Sequence, residues 1–259
     1  MSQACWAEVP DRIRAGKTLP EPWEGLFGAL RQDAGKCVTI GQLGQSLDGR
    51  IATLSGHSHY ISGSEGLAHL HRLRAVVDAV VVGANTVRLD DPQLTVRHVD
   101  GPNPARVVID PRRTLPATAR AFAADGISRI VITRADAPLA AGEDVETIVL
   151  PETGGLFAPA AILEALAARG LRRVLIEGGA QTVSHFLAAG CLDRLHIVVA
   201  PVILGSGIPG LVLPAIARMN EALRVPMHVR ALGDEVLFDC DLSTRRLGQA
   251  FQHPGKPRA

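Results

Sequence analysis

The sequence has no surplus of charge of either sign. Its 27 Lys and Arg offset 26 Asp and Glu, for a formal charge of +1. A protein that coats a polyanion carries a clear basic excess, so no bulk nucleic-acid binding is expected. Cysteine is scarce. Cys5, Cys37, Cys191 and Cys240 are the four in 259 residues, and no two stand as C-x-x-C. With no histidine at a finger-like spacing from them, neither a metal site nor a disulfide framework is expected. Reduced, mostly buried thiols in a cytoplasmic protein are the expectation. No apolar run reaches the ~18 residues of a membrane span. Residues 1–8 hold no charged stretch followed by an apolar one, so no secretory signal is expected. G-x-S-x-G is absent, which argues against a hydrolase elbow around Ser206.

What is present is ordinary globular material. Hydrophobic residues make up 47% and charged residues 20%, enough for a full core and too apolar for disorder. Short β-branched runs recur at 79–83, 106–110, 129–133, 146–150, 173–177 and 195–200, with a strand-like opening at 37–40. Such runs suit strands covered on both faces. Between them, helical spacing predicts helices over 64–77, 159–169 and 181–189. Ser64 is the expected N-cap of the first, with Leu67, Leu70, Leu73 and Val77 on its inner face. Pro159 and Gly170 bracket the second. A short helix is expected within 23–31. Residues 228–232 and 236–242 around Gly233-Asp234 read as an antiparallel hairpin. Alternating strands and helices predict one α/β domain with a mixed, mostly parallel sheet, helices on both faces and that hairpin at the end. The expected divisions are an N-terminal extension over 1–36, the domain over 37–243 and a polar tail over 244–259.

In open α/β sheets ligands bind at the carboxyl ends of the strands. After 173–176 comes Glu177-Gly178-Gly179-Ala180-Gln181-Thr182, which leads into a helix. Its glycines would let a phosphate approach the helix N-terminus, or they serve only a tight turn. After 79–82 comes Gly83-Ala84-Asn85-Thr86-Val87, then Asp90-Asp91-Pro92. Nothing nearby completes a metal ligand set, so a turn-capping carboxylate is preferred there. His69 and His71 are two apart and do not share a helix face. Arg74 and Arg97 either clamp a phosphate or lie solvated.

Read together, Ser46-Leu47-Asp48-Gly49-Arg50-Ile51-Ala52, Gly56-His57-Ser58, Ile61-Ser62, His71-Arg72-Leu73-Arg74-Ala75, Asp78-Ala79, Val82-Gly83, Thr86, Asp90-Asp91-Pro92, Leu94-Thr95-Val96-Arg97 and Ile176-Glu177-Gly178-Gly179 form an ordered set. In that order and spacing they resemble the pyrimidine reductases of riboflavin biosynthesis. That family occurs as the C-terminal half of a bifunctional deaminase–reductase and as stand-alone reductases. The resemblance runs from about Val38 to Gly207. It implies a dihydrofolate reductase-like fold and NADPH-dependent reduction of the ribosyl group of a phosphoribosylamino-pyrimidine to ribityl. The deaminase signature is absent, so a stand-alone reductase is expected. The resemblance places Ser58, Arg74, Leu94, Arg97 and Glu177 at the phosphorylated small-molecule substrate. Gly44, Tyr60, Ser62, Thr86, Asp90, Gly178, Gly179, Ala180, Gln181 and Thr182 fall at the cofactor. It also implies a homodimer, and no metal or nucleophile.

Gln42 and Pro111 depart from the family pattern, and Tyr60, a milder change, stands where the aromatic is often Trp. Gln42 stands where many members have Lys, and an amide cannot donate a proton as an ammonium does. Pro111 stands where several have Ser. Two other readings stay open. One is a reductase of a different pyrimidine, pteridine or secondary metabolite, which Gln42 favours. The other is a non-catalytic nucleotide-binding module, which would bind cofactor without turnover. Arg112, Arg113 and Arg134, after strand ends, are each able to favour a 2′-phosphate, and the sequence does not choose among them.

Overall fold

The computed structural model describes residues 6–31, 36–58, 61–138 and 144–245. In chain order the strands are β1 (Val38–Ser46), β2 (Arg50–Thr53), β3 (Ala79–Gly83), β4 (Ala105–Ile109), β5 (Arg129–Thr133), β6 (Glu146–Val149), β7 (Glu152–Thr153), β8 (Leu156–Phe157), β9 (Arg173–Glu177), β10 (Arg194–Ala200), β11 (Gly207–Pro209), β12 (Met227–Leu232) and β13 (Glu235–Asp241). The helices are α1 (Val9–Arg14), α2 (Glu24–Phe27), α3 (Ser64–Val76), α4 (Ala84–Asp90), α5 (Pro159–Ala167) and α6 (Ala180–Ala188).

Nine strands form one sheet in the order β12–β13–β10–β1–β9–β3–β4–β5–β6. From β10 to β6 all neighbours run parallel, while β13 lies antiparallel to β10 and pairs with β12 as a hairpin. The expected mixed sheet with a terminal hairpin is therefore present. Its apolar strands alternate between two faces. Ile40, Val80, Val82, Val108, Leu175, Val198 and Leu237 share a core with α3 and α4. Val81, Val107, Ile132, Val174, Ile176 and Leu195 share the other with α5 and α6.

Four local expectations are corrected. The first strand runs on to Ser46, past the glycines at 41 and 44. Residues 84–90, expected as a turn, form helix α4. The N-cap of α3 is Gly63, not Ser64, and no local side chain caps it. Glu235 does so from the distant hairpin, accepting from Gly63 N–H at 2.9 Å and Gly66 N–H at 2.7 Å. Leu67 faces outward, while His69, His71, Arg72 and Arg74 are buried. The helix is enclosed on nearly every side over its last two turns, so a single apolar stripe does not describe it.

Part of that enclosure is the N-terminal segment. Trp6, Val9, Ile13, Trp23, Leu26, Phe27 and Leu30 join the α3-side core. Arg72 of α3 lies over the rings of Trp6 and Trp23, at 5.9 and 5.2 Å from their centroids. The two indoles hold a guanidinium that has left water.

Asp78 ties the beginnings of two central strands together. It accepts from the N–H groups of Arg172 and Arg173 at 3.0 and 2.8 Å, and pairs with the Arg173 guanidinium at 2.5 Å. Asp78→Ala should lower the unfolding free energy by about 2–4 kcal/mol in urea titrations, because it strips acceptors from two amides and a half-buried cation.

Candidate active site

Strand topology decides where a crevice opens. From β1 the chain moves to β3 on one side and later returns to β9; through α6 it then passes to β10 on the other side of β1. The carboxyl ends of β9, β1 and β3 therefore flank a topological switch point. All the site residues expected from sequence, as far as they are described, gather along this edge or on loops above it. Tyr60 lies outside the described residues.

A row of polar side chains crosses the sheet beneath α3. Register places Gln42 of β1 between Glu177 of β9 and His196 of β10, and His196 beside Asp239 of β13. Helix α3 meets this row at two points. Arg74 Nε and Nη2 donate to the two Glu177 oxygens at 2.8 and 2.5 Å, and its Nη1 donates to Thr95 O at 2.9 Å. One helical turn away, His69 Nε2 lies 3.0 Å from His196 Nδ1, whose other nitrogen lies 3.1 Å from Asp239. Arg194 completes the set with a side-on pair to Asp239 at 2.9 and 2.5 Å. Burial drives the His69 pKa well down, with His196 and Arg72 adding to the effect, so His69 is neutral. Asp239 titrates near 2: burial opposes ionisation, but hydrogen bonds and charge from His196 and Arg194 prevail. Gln42 is only 5% exposed and makes no side-chain hydrogen bond among the described residues. Its amide thus keeps a donor and an acceptor free beside Glu177.

The loop after α4 lies over Arg74. Leu94 turns it with φ of 58°, and the whole residue is buried in the core, so the loop that it turns, not Leu94 itself, shapes the surface. His71 Nδ1 accepts from Arg97 N–H at 2.8 Å, so His71 holds the backbone that presents Arg97. Its proton then sits on Nε2. Burial, aided by Arg74 and Arg97, pushes the His71 pKa down to about 3. Among the described residues the Arg97 guanidinium hydrogen-bonds only Thr95, and burial, with Arg74 and Arg120 nearby, lowers its pKa. Arg120 escaped the sequence reading because it lies in a separate turn, linked here through its N–H to Asp91 at 2.8 Å. Three arginines thus converge on a zone in which the Glu177 carboxylate is already paired with Arg74.

Beside this zone two strand-to-helix turns interlock. Thr86 Oγ1 accepts from Gly179 N–H at 3.0 Å. Gly178 has φ of +96°, and a Cβ there would stand 2.9 Å from the Thr86 hydroxyl and methyl. In return, a Cβ at Gly83 would stand 2.7 Å from Thr182 Oγ1. Helix α6 begins at Ala180 with no side-chain cap, so the first-turn amides of Ala180 and Gln181 face the edge unoccupied by a local acceptor. Farther along, Ser58 donates to Asp90 at 3.1 Å. Gly44 and Ser62 fit against each other so closely that a Cβ at 44 would collide with the Ser62 hydroxyl. This glycine cradle under an uncapped helix start suits dinucleotide phosphates. Among the described residues no metal-binding cluster is found.

The His71 shift sets a pH dependence. Below about pH 6.5 an unfolded histidine takes up a proton that folded His71 refuses until about 3. Stability is full above that window and falls as pH drops through it, by up to ~1.4 kcal/mol per unit. His71→Gln, which keeps an acceptor for Arg97 N–H, should remove about one proton from the slope of unfolding free energy against pH.

Comparison with known proteins places this geometry. Residues 38–237 match the RibD C-terminal domain family. The riboflavin biosynthesis protein RibD of Aquifex aeolicus is 34% identical over 199 residues, 75% of this chain and 54% of that protein. The 2,5-diamino-6-ribosylamino-4(3H)-pyrimidinone 5′-phosphate reductase of Methanothermobacter thermautotrophicus is 36% identical over 164 residues, 62% of this chain and 76% of that protein. Among solved structures, a Thermotoga maritima deaminase/5-amino-6-(5-phosphoribosylamino)uracil reductase superposes with a TM-score of 0.68 at 28% identity, over 80% of this chain and 56% of that one. The chain spans about half the length of the RibD proteins it matches. By sequence match and by fold, the chain belongs to the RibD C-terminal domain family.

Proposed function

We propose that the chain is an NADPH-dependent reductase that converts the ribosyl group of a phosphoribosylamino-pyrimidine to ribityl. The observation that carries this reading is the Glu177 carboxylate, locked side-on by Arg74 beside the uncommitted Gln42 amide, next to the glycine cradle. A reductase for a phosphorylated sugar needs those parts: groups that orient hydroxyls, a cation for phosphate and a cradle for the dinucleotide.

The bound nicotinamide would supply a hydride to the sugar C1′. The C1′–O4′ bond breaks, the ring oxygen takes a proton, and the ribityl chain remains on nitrogen. For this the protein supplies alignment and a dry setting. Glu177 accepts from sugar hydroxyls while Arg74 keeps it fixed. Gln42 donates or accepts beside it but cannot protonate an oxygen. Arg97, with Arg120 near, receives the phosphate, and the Ser58 hydroxyl and the loop turned at Leu94 line the substrate. Thr86, Gly178, Gly179, Ala180, Gln181 and Thr182 hold the dinucleotide phosphates. Gly44, Ser62, Tyr60 and Asp90 complete its site. The protein would act in the cytoplasm as a homodimer; Met227 and Val229, exposed on the edge strand β12, suit a strand-extending contact.

The test is NADPH oxidation at 340 nm with the ribosylaminopyrimidine 5′-phosphate, in its deaminated and non-deaminated forms. Turnover with either supports the reading, and nucleotide binding without turnover on both would refute it. Arg97→Ala should raise KM for the phosphorylated substrate about 10–100-fold, the worth of a charge-assisted contact, and leave KM for NADPH within about twofold. Equal loss for both ligands would remove Arg97 from the phosphate site.

A further inference from the structure

The residues before 38 lie outside the stretch that matches the family. Yet this segment is packed as closely as the sheet: Trp6, Ile13, Trp23, Phe27 and Leu30 are each at most 3% exposed. Burial of apolar rings accounts for its place on α3. It does not account for where the polar atoms of those rings point. The Trp6 ring is caged, edge-on to Trp23 at 5.2 Å and to Phe27 at 5.8 Å, with the Arg72 guanidinium 5.9 Å from its centroid. In that cage the indole Nε1–H donates to the Asp100 carbonyl oxygen at 2.7 Å, 94 positions along the chain. Trp23, in the same cluster, is fully buried, and its Nε1–H has no acceptor among the described residues. Both tryptophans contribute a ring, and Trp6 adds a tether.

The loop that Trp6 reaches spans residues 94–103 and carries Arg97. Its first part is held from α3 and from within. His71 Nδ1 accepts from Arg97 N–H at 2.8 Å, and Asn103 Oδ1 accepts from Val96 N–H at 2.6 Å. Farther on, the loop runs between α3 and the N-terminal segment. A Cβ at Gly101 would stand 2.6 Å from that of Ala75 on one side and 3.8 Å from the Pro10 ring on the other. His98, Asp100 and Gly101 are exposed. Over residues 98–102 the Trp6 bond is the one hydrogen bond that holds the loop among the described residues. Without it, Arg97 is anchored on its α3 side alone.

We propose that Trp6 is a positioning residue for the substrate: its indole N–H fixes the loop that presents Arg97, and so tightens the hold on the substrate's phosphate without touching it. This rests on the reading of Arg97 as the phosphate ligand. The physical gain is preorganisation, because a loop already in its binding conformation loses less freedom when the phosphate arrives.

Trp6→Phe keeps a ring and deletes the tether, whereas Trp23→Phe deletes an N–H that has no acceptor. Both should lower the melting temperature. Only Trp6→Phe should raise KM for the ribosylaminopyrimidine 5′-phosphate, by about 3–10-fold, the worth of one hydrogen bond, with kcat and KM for NADPH within about twofold of the parent. Coupling is reciprocal, so the same factor should appear in the parent protein. The chain has two tryptophans, and NMR reads their indole N–H signals separately. Saturating ribose 5-phosphate should slow hydrogen exchange at Trp6 Nε1 about 3–10-fold and leave Trp23 unchanged. If a variant does not fold, this measurement on the parent decides alone. Equal rises in KM for the two variants would trace the effect to general packing and overturn the assignment. So would an unchanged KM in Trp6→Phe, or Trp6 exchange that ignores ribose 5-phosphate; turnover by the parent then leaves the reductase reading standing. A parent that reduces neither pyrimidine but shows the Trp6 response keeps the loop assignment and loses the reductase reading. A parent that neither turns over nor binds ribose 5-phosphate overturns both.

Discussion

A guanidinium buried between a helix and a sheet needs acceptors for its N–H groups, and the pairing of Arg74 with Glu177 is the join around which this protein is arranged. It ties α3 to the end of β9 across 103 positions of sequence. Two parallel hydrogen bonds fix both planes, so Glu177 has one orientation toward the edge. Buried pairs of this kind contribute little net stability against an apolar alternative, and breaking one strands a charge at a cost of about 3–5 kcal/mol. A carboxylate of fixed direction is what the pair supplies.

The rest of α3 follows from enclosing that helix. Arg72 rests on two tryptophans of the N-terminal segment, and Phe27 of that segment stacks on His69 at 6.0 Å. His69 then meets His196, and His196 meets Asp239 and the hairpin. Trp6 Nε1 donates to Asp100 O at 2.7 Å, so the same segment holds the loop that presents Arg97. The N-terminal segment thus touches both things the site needs held still, the helix under Glu177 and the loop over it. Its position identifies it as scaffold for the site, something its mixed, proline-rich composition does not reveal.

Much of the architecture is legible in the sequence. Strands such as 129–133 and 173–177 show plainly because a strand buried on both faces is a short β-branched run, and no helix of that length is bounded so sharply by polar residues. Helix α5 shows through Pro159 and Gly170, which act locally. Helix α4 does not, because Gly, Asn, Thr and two Asp are the residues of turns; here tertiary contacts at Thr86 and Asp91 override propensity. Ser64 looked like a cap by the same local logic, whereas the true cap comes from Glu235, far along the chain. The site residues were legible only through their joint order and spacing. That Arg74 is buried and paired, or that Arg120 approaches Arg97, follows from loop closure and leaves no mark in any local pattern.

The distribution of charge along the strand edge gives the site its polarity. At the β1–β9 end the charge of Glu177 is balanced by Arg74, while the guanidinium groups of Arg97 and Arg120 stand beyond it without an ion pair among the described residues. At the β4 end Asp110 is consumed by its own turn. Both ends are therefore locally cationic in a chain whose net charge is +1. Between them, helix starts and glycine turns supply neutral donors. A ligand matched to this edge is anionic at its two extremities and approaches the backbone closely in the middle. On the proposed reading two molecules meet there end to end, a phosphorylated sugar at Arg97 and a dinucleotide on the glycine turns. Their reactive ends would then face each other over Gln42 and Glu177, where the Gln42 amide has no side-chain hydrogen bond among the described residues.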